Sequence, residues 1–575
     1  MRLSCLVATV ACAVMVPSLA LGQEAEPPIE DTPAPVVEAP DLGPPDLDGG
    51  SSYGQFLAGR AAMNRGDGEA ATAFLAQALT ESAGARLVRE RTFSAAVLAG
   101  EIRVAAAVPL EAGESHAALV EGGRLARIAQ AIADGRSREV LREVRAHPVQ
   151  APHLLAGRLV DRWLAASAND WEAALAPMAS DSDALSRILG GYYRALLLER
   201  RRRYDEADEQ YRALLLDGAA SEMTRLPYGE FLERRGRRAE AIAVYDAGLA
   251  QGADATLTAA RARAASRGRP PALMTVRDGA ALAFGHAAAA AAISDVHEFV
   301  VAYLRMSLTL DPDNGESWVM LGDALNEMDM SATAREAWGR VPVASDQYVD
   351  GQIRIAASLD EDGQGEEAVR VARAVADGRP GPASAFTLAV LLTAHNQLDA
   401  ALDVLDGPAL AEVDVWTVAF QRGVVHERSG DFEAAEAAFQ RALELSPDQA
   451  GVLNYLGYMW VDRGVRLDEG LALIERAVAA EPEDGNFQDS LGWAHYRMGR
   501  FDEAVTVLER AIGLEPGSAT INDHLGDAYW QVGRRREARY QWQRALGLDP
   551  EDRERQAIEA KLAGVAPTTT AAAIP

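Results

Sequence analysis

Asp489, Trp493, Tyr496 and Arg497 return 34 residues later as Asp523, Asp527, Trp530 and Gln531. One step earlier, at a spacing of 35, Asn454 and Tyr458 stand where Asp489 and Trp493 follow. Carboxylates, indoles, phenols and amides at such a spacing can do binding chemistry: ion pairing, hydrogen bonding and broad aromatic contact. They are poor material for catalysis. Asp and Glu are spread along the whole chain, so no carboxylate pair stands out for acid–base work. There is no His-Glu-x-x-His, no Gly-x-Ser-x-Gly and no phosphate-binding glycine loop. Of nine scattered histidines, His495 and His524 come nearest to a shared register, and both are expected to pack between helices. The two cysteines, Cys5 and Cys12, lie in the N-terminal apolar run and offer no pair for zinc. The expectation is a binding surface with no catalytic, cofactor or metal site.

The elements that would position these residues follow from the same period. Gly492 and Gly526 are 34 apart, as are Ala504 and Ala538, Ala511 and Ala545, and Pro516 and Pro550. A 34-residue repeat of Leu-Gly, then Ala, then Pro is the signature of tetratricopeptide repeats, each a pair of antiparallel helices. The small residue at the eighth position (Gly457, Gly492, Gly526) lets the two helices approach, and Ala504 and Ala538 mark their crossing. Gly499 and Gly533 end the first helix in the left-handed region, and Pro516 and Pro550 follow the second. Phe501, Leu508 and Trp542 are expected to fill the space between units. First helices line the concave face. The ten residues named above therefore form the candidate groove, acidic and aromatic in character. A clamp for a C-terminal carboxylate needs Lys and Asn where this chain has Asp523 and Asp527.

Fainter copies extend the pattern: Gly59 to Ala78, Gly229 to Tyr245, Trp318 to Trp338, Gly363 to Pro380 and Gly423 to Pro447. The unit between Leu453 and Pro482 carries one extra residue, placed in the turn near Gly464–Leu467. The fold class is all-α, a superhelical solenoid of about 12–14 hairpins whose stability is mostly nearest-neighbour. Residues 51–310 read as degenerate repeats and 311–561 as the array proper, clearest over 416–550. Glu551 to Lys561 reads as a charged helix that caps the open end, with a Thr-, Ala- and Pro-rich tail over 562–575.

A formal net charge of −29 argues against a general nucleic-acid binder and against electrostatic docking on anionic lipid. Lys561 is the single lysine, so nearly all positive charge is arginine. The runs Arg200–Arg203 and Arg534–Arg536 fall at hairpin turns. Residues 1–22 read as a secretory signal: Arg2, an apolar run, then Ala20-Leu21-Gly22 before Gln23. Cys12 follows Thr9-Val10-Ala11 within the apolar run, which favours a cleaved signal over a lipoprotein one. Residues 23–50 read as a Pro-rich acidic linker.

The C-terminal run LNYLGYMWVDRG, DSLGWAHYRMGRFDEAVTVLERA, DHLGDAYWQVGRRREARYQWQRA resembles large bacterial tetratricopeptide proteins of the cell envelope. One such type is an outer-membrane adaptor that recruits a carboxy-terminal processing protease and delivers peptidoglycan hydrolases to it. The resemblance, strongest over 416–550, implies a non-enzymatic periplasmic adaptor whose partners are envelope proteins or peptide segments. The alternative is a structural subunit of an envelope secretion or polysaccharide-export assembly. No membrane span is expected once the signal is cleaved.

Overall fold

A Cβ placed on Gly492 would lie 2.5 Å from Leu508 Cγ, and one on Gly526 would lie 2.4 Å from Trp542 Nε1. These contacts show why the eighth position stays small: the second helix of each unit rests directly on the first. In the computed structural model, which describes residues 51–567 apart from 83–84, 178–183, 218–220, 253 and 549, the same approach recurs at Gly322 against Trp338 and Gly423 against Phe439. Ala504 and Ala538 are fully buried at the crossings. Gly499 and Gly533 have φ of 76° and 82°, the left-handed stop the spacing predicts. The extra residue near 464–467 is taken up by Arg466, also left-handed at φ 45°. The expected signal at 1–22, the linker at 23–50 and the end of the tail at 568–575 lie outside the described residues.

Among the described residues there are thirty helices and no strand, so the fold is all-α. The chain divides into two lobes, 51–358 and 359–567.

In the C-terminal lobe four units run consecutively. Unit I is Trp416–Arg428 and Phe432–Leu445; unit II is Ala450–Asp462 and Leu467–Ala480. Unit III is Gly485–Arg497 and Phe501–Leu514; unit IV is Ala519–Gln531 and Arg535–Leu546. A closing helix, Asp552–Leu562, follows. Side chains start several of these helices by accepting orphan amides: Asp431 from Ala434, Asp484 from Phe487 and Ser518 from Ile521. Each helix packs on its sequence neighbours, and the first helices of units II and III also touch the first helix of the next unit. Leu508 and Trp542 are fully buried, while Phe501 is half-buried with its ring 5.5 Å from Tyr496.

The N-terminal lobe departs from the mostly nearest-neighbour packing expected of the array. Val276–Ile293 packs on Leu154–Ser167, and His297–Leu310 packs on Ala117–Ala133 and Arg86–Ala99. The contact is close enough that a Cβ on Gly279 would meet the Trp163 ring at 2.2 Å. Two buried polar pairs span the fold-back: His153 Nδ1 with Tyr303 Oη, and Tyr193 Oη with His286 Nδ1, both 2.6 Å. Burial lowers both imidazoles, His286 to about 4, so both stay neutral partners of a phenol. One continuous apolar core runs from Phe93 to Val341. Helices of the degenerate stretch thus pack on a shared interior as well as on their neighbours.

Candidate partner-binding surface

The first helices of units II, III and IV lie side by side, and their polar side chains reach one another across a single step. His524 Nδ1 sits 2.9 and 3.0 Å from the two carboxylate oxygens of Asp489, 35 residues earlier. Its ring stacks on Trp493 at 4.0 Å between centroids, and Trp493 stacks in turn on Tyr496 at 4.8 Å. Trp493 Nε1 donates to Asp462 at 3.2 Å, and Arg497 reaches the same carboxylate at 3.3 Å. Gln531 Nε2 donates to Tyr496 Oη at 3.2 Å. Burial would pull the His524 imidazole down, but the Asp489 carboxylate and its hydrogen bond outweigh this and hold it above the ordinary value.

Asp523 and Asp527 are not open to a partner as they stand. Lys561, from the closing helix, places Nζ 2.8 and 2.7 Å from the oxygens of Asp523 and 2.8 Å from Asp527. Trp542 Nε1 donates to the other oxygen of Asp527 at 3.0 Å. Burial, with Asp523 beside it, pushes the Asp527 carboxyl up to about 6 even though Lys561 opposes the shift. The cluster therefore holds three buried carboxylates, Asp489, Asp523 and Asp527, against one imidazole and one ammonium.

Of the ten candidate residues, Asn454, Asp489, Trp493, Tyr496, Asp523 and Asp527 are buried. Tyr458, Trp530 and Gln531 are half-buried and keep access to solvent, while the Arg497 side chain is only 7% exposed beneath Asp462. Trp530 leans on Trp542 at 5.4 Å and carries the Arg535 guanidinium 3.8 Å above its ring. Tyr458 packs against the same apolar cluster as Trp493, and burial pushes its phenol well above the ordinary value. Asn454 stands apart, with its side-chain oxygen unbonded. The structure thus brings units III and IV into one network, narrows the accessible set to three side chains, and adds Asp462, His524 and Lys561. Those three are findable in the sequence only as complementary polar residues 34 or 35 positions from a partner.

The two basic runs sit at turns, as expected. Arg534 is paired with Glu509 at 2.8 Å and with Glu537. Arg202 and Arg203 line a cleft of about 380 Å³ with Tyr204, Asp208, Arg235 and Arg237. There Arg237 meets Asp208 at 2.9 Å, and Arg235 lies over the Tyr204 ring at 3.7 Å. Among the described residues no group of three or more His, Cys, Asp or Glu is placed to hold a metal ion. No described helix is long and apolar enough to cross a membrane.

Family models described as tetratricopeptide repeat match residues 420–485, 463–519 and 495–562. A TPR repeat-containing protein of Pseudomonas aeruginosa is 26% identical over 182 residues, and the match covers 31% of each chain. Among solved structures, a tetratricopeptide repeat protein from Parabacteroides merdae is 15% identical, covering 43% of this chain and 97% of that one, with a TM-score of 0.37. The Cut9–Hcn1 hetero-tetramer of the APC/C matches at 13% identity over 89% of this chain and 96% of that one, with a TM-score of 0.40. YrrB, a TPR protein with an unusual peptide-binding site, matches at 21% identity over 33% and 96%, with a TM-score of 0.25. At these scores the solved structures say nothing of the site here. With the period, the crossing glycines and the family models in agreement, residues 420–562 of this chain are tetratricopeptide repeats.

Proposed function

We propose that this protein is an exported, non-enzymatic adaptor that holds protein or peptide partners of the cell envelope on the first-helix face of its C-terminal repeats. Tetratricopeptide repeats are protein-interaction scaffolds, and the observation that carries the reading is the set Tyr458, Trp530 and Gln531. These half-buried aromatic and polar side chains stand on the first helices of units II and IV, either side of the polar network of unit III. Aromatic side chains in such a setting are the usual anchors of an interface. Holding two partners at once would raise their effective concentration with no chemistry of its own. The resemblance to envelope adaptors that serve a carboxy-terminal processing protease, and the signal-like residues 1–22, support a periplasmic setting. A subunit role in a secretion or export assembly is the second reading, and isolation of a stoichiometric complex with an outer-membrane channel would favour it.

The test compares partners co-purified from envelope extracts by wild type, Trp530→Ala and Tyr540→Ala. Tyr540 is 61% exposed on the second helix of unit IV. Partners should be lost with Trp530→Ala and kept with Tyr540→Ala; equal recovery with both removes the first-helix face from the account.

A further inference from the structure

The closing helix Asp552–Leu562 stands where the first helix of a further unit would stand. Lys561 lies 34 residues after Asp527, as Asp527 lies 34 after Trp493. It thus occupies the same register position as Trp493 and Asp527. Yet the helix is held lightly. Its one buried side chain is Ile558, with Leu562 half-buried on the same cluster. The first helix of unit IV, by contrast, buries an unbroken run from Ile521 to Tyr529. Beyond that apolar contact, the Lys561 ammonium on Asp523 and Asp527 and the Arg539 guanidinium on Leu562 O at 3.0 Å tie the closing helix to unit IV. An element with one apolar anchor and an ion pair opens more readily than the units it covers.

We infer that this seat is exchangeable: the closing helix is an internal occupant of a docking site for a partner's amphipathic helix. The site consists of the Asp523–Asp527 carboxylate pair and the apolar patch that receives Ile558. The matching ligand carries an aliphatic residue and, three positions on, a lysine, because i and i+3 share one helix face, as Ile558 and Lys561 do here. Two carboxylates in one buried seat reject acidic segments and select a single cation. The chain has no other lysine to offer, so the competing lysine comes from another molecule. While the closing helix is docked the seat is masked, and apparent affinity for a partner is reduced by the fraction of time it is closed. This inference rests on the reading of the C-terminal repeats as a partner-binding surface and names the partner's chemistry at one end of it.

Because Lys561 is the single lysine, an amine-acylating reagent followed by peptide mass mapping reports seat opening directly. In the full-length chain Lys561 should be acylated more slowly than in Ile558→Asp, by roughly tenfold or more. An N-terminally labelled peptide spanning residues 551–564 should bind Ile558→Asp in trans, and bind wild type roughly tenfold more weakly. Binding should vanish when the peptide carries Lys561→Glu, or when the protein also carries Asp523→Asn and Asp527→Asn. Lys561→Ala gives a second released variant that leaves the apolar contact untouched. The inference is overturned if the peptide binds neither released variant, if it binds wild type equally well, or if release unravels unit IV by hydrogen exchange. The last outcome would make the helix an integral part of the repeat. Failure here with Trp530-dependent capture intact would overturn the seat alone and leave the adaptor reading standing.

Discussion

Asp489 and His524, on the first helices of adjacent units and 35 residues apart, share a buried hydrogen bond of 2.9 Å. The same step recurs as Glu199 with Arg234, Asp360 with His395, Asp462 with Arg497 and Tyr496 with Gln531. A 34-residue period returns a position to the same face. One residue more turns it by about 100° along the helix, back toward the preceding unit. The polar ladder between first helices is thus a consequence of the repeat length, and it ties neighbouring units together in register, with Asp489–His524 as its buried rung.

That ladder predicts an unusual pH response. Asp527 titrates higher when folded, near 6 in place of 3.8, and His524 is also raised. For both, the folded state holds its proton to higher pH than the unfolded chain does. Their contributions to stability are full below the unfolded values and are lost as pH climbs through the folded ones. Units III and IV should therefore be better protected from hydrogen exchange near pH 5 than near pH 8. Asp527→Asn should flatten that difference; an unchanged slope in this variant would assign the effect to the overall charge of −29.

Ala504→Leu places a large side chain at a fully buried crossing and should cost about 1–3 kcal/mol. The loss should appear in units III and IV and leave 51–358 protected, because contacts in the C-terminal repeats run between neighbours. Uniform loss along the chain would contradict the separation of the two lobes.

Gly279→Ala should behave differently. The new methyl would strike the Trp163 ring, where Val276–Ile293 packs back on Leu154–Ser167. A cost of about 1–3 kcal/mol should spread over the N-terminal lobe as one cooperative loss of protection. Loss confined to the helix that carries it would contradict a shared core.

Arg305 offers a test of opposite sign. It is 8% exposed, lies against the left-handed Gly100, and its Nε has no partner. Burial lowers its guanidinium to about 10. Replacing it with Met should leave the melting temperature unchanged or higher, since the burial of this guanidinium, with Arg340 beside it, outweighs the attraction of Glu336. A marked drop would show that the guanidinium has a role the packing does not reveal.

The repeat frame was legible because its signals are steric and local: Gly492 beneath Leu508, Gly533 at a left-handed stop, Pro516 after the second helix. The candidate surface was legible only in part. Register places Trp493 and Asp527 on the first helices. It does not say that His524 will stack on the indole, or that Lys561 will return to cover the carboxylates. The fold-back of the N-terminal lobe was not legible. It depends on matches such as Gly279 with Trp163 and His153 with Tyr303, over 100 residues apart, which leave no period to read.

The central claim is that partners bind the first-helix face of units II to IV. A photo-crosslinking amino acid at Trp530 tests it most directly, set against the same group at Tyr540 on the second-helix side. The account predicts covalent adducts with a discrete partner from position 530 and few from 540. Adducts from 540 with none from 530, in a protein that keeps its wild-type melting temperature, would contradict it.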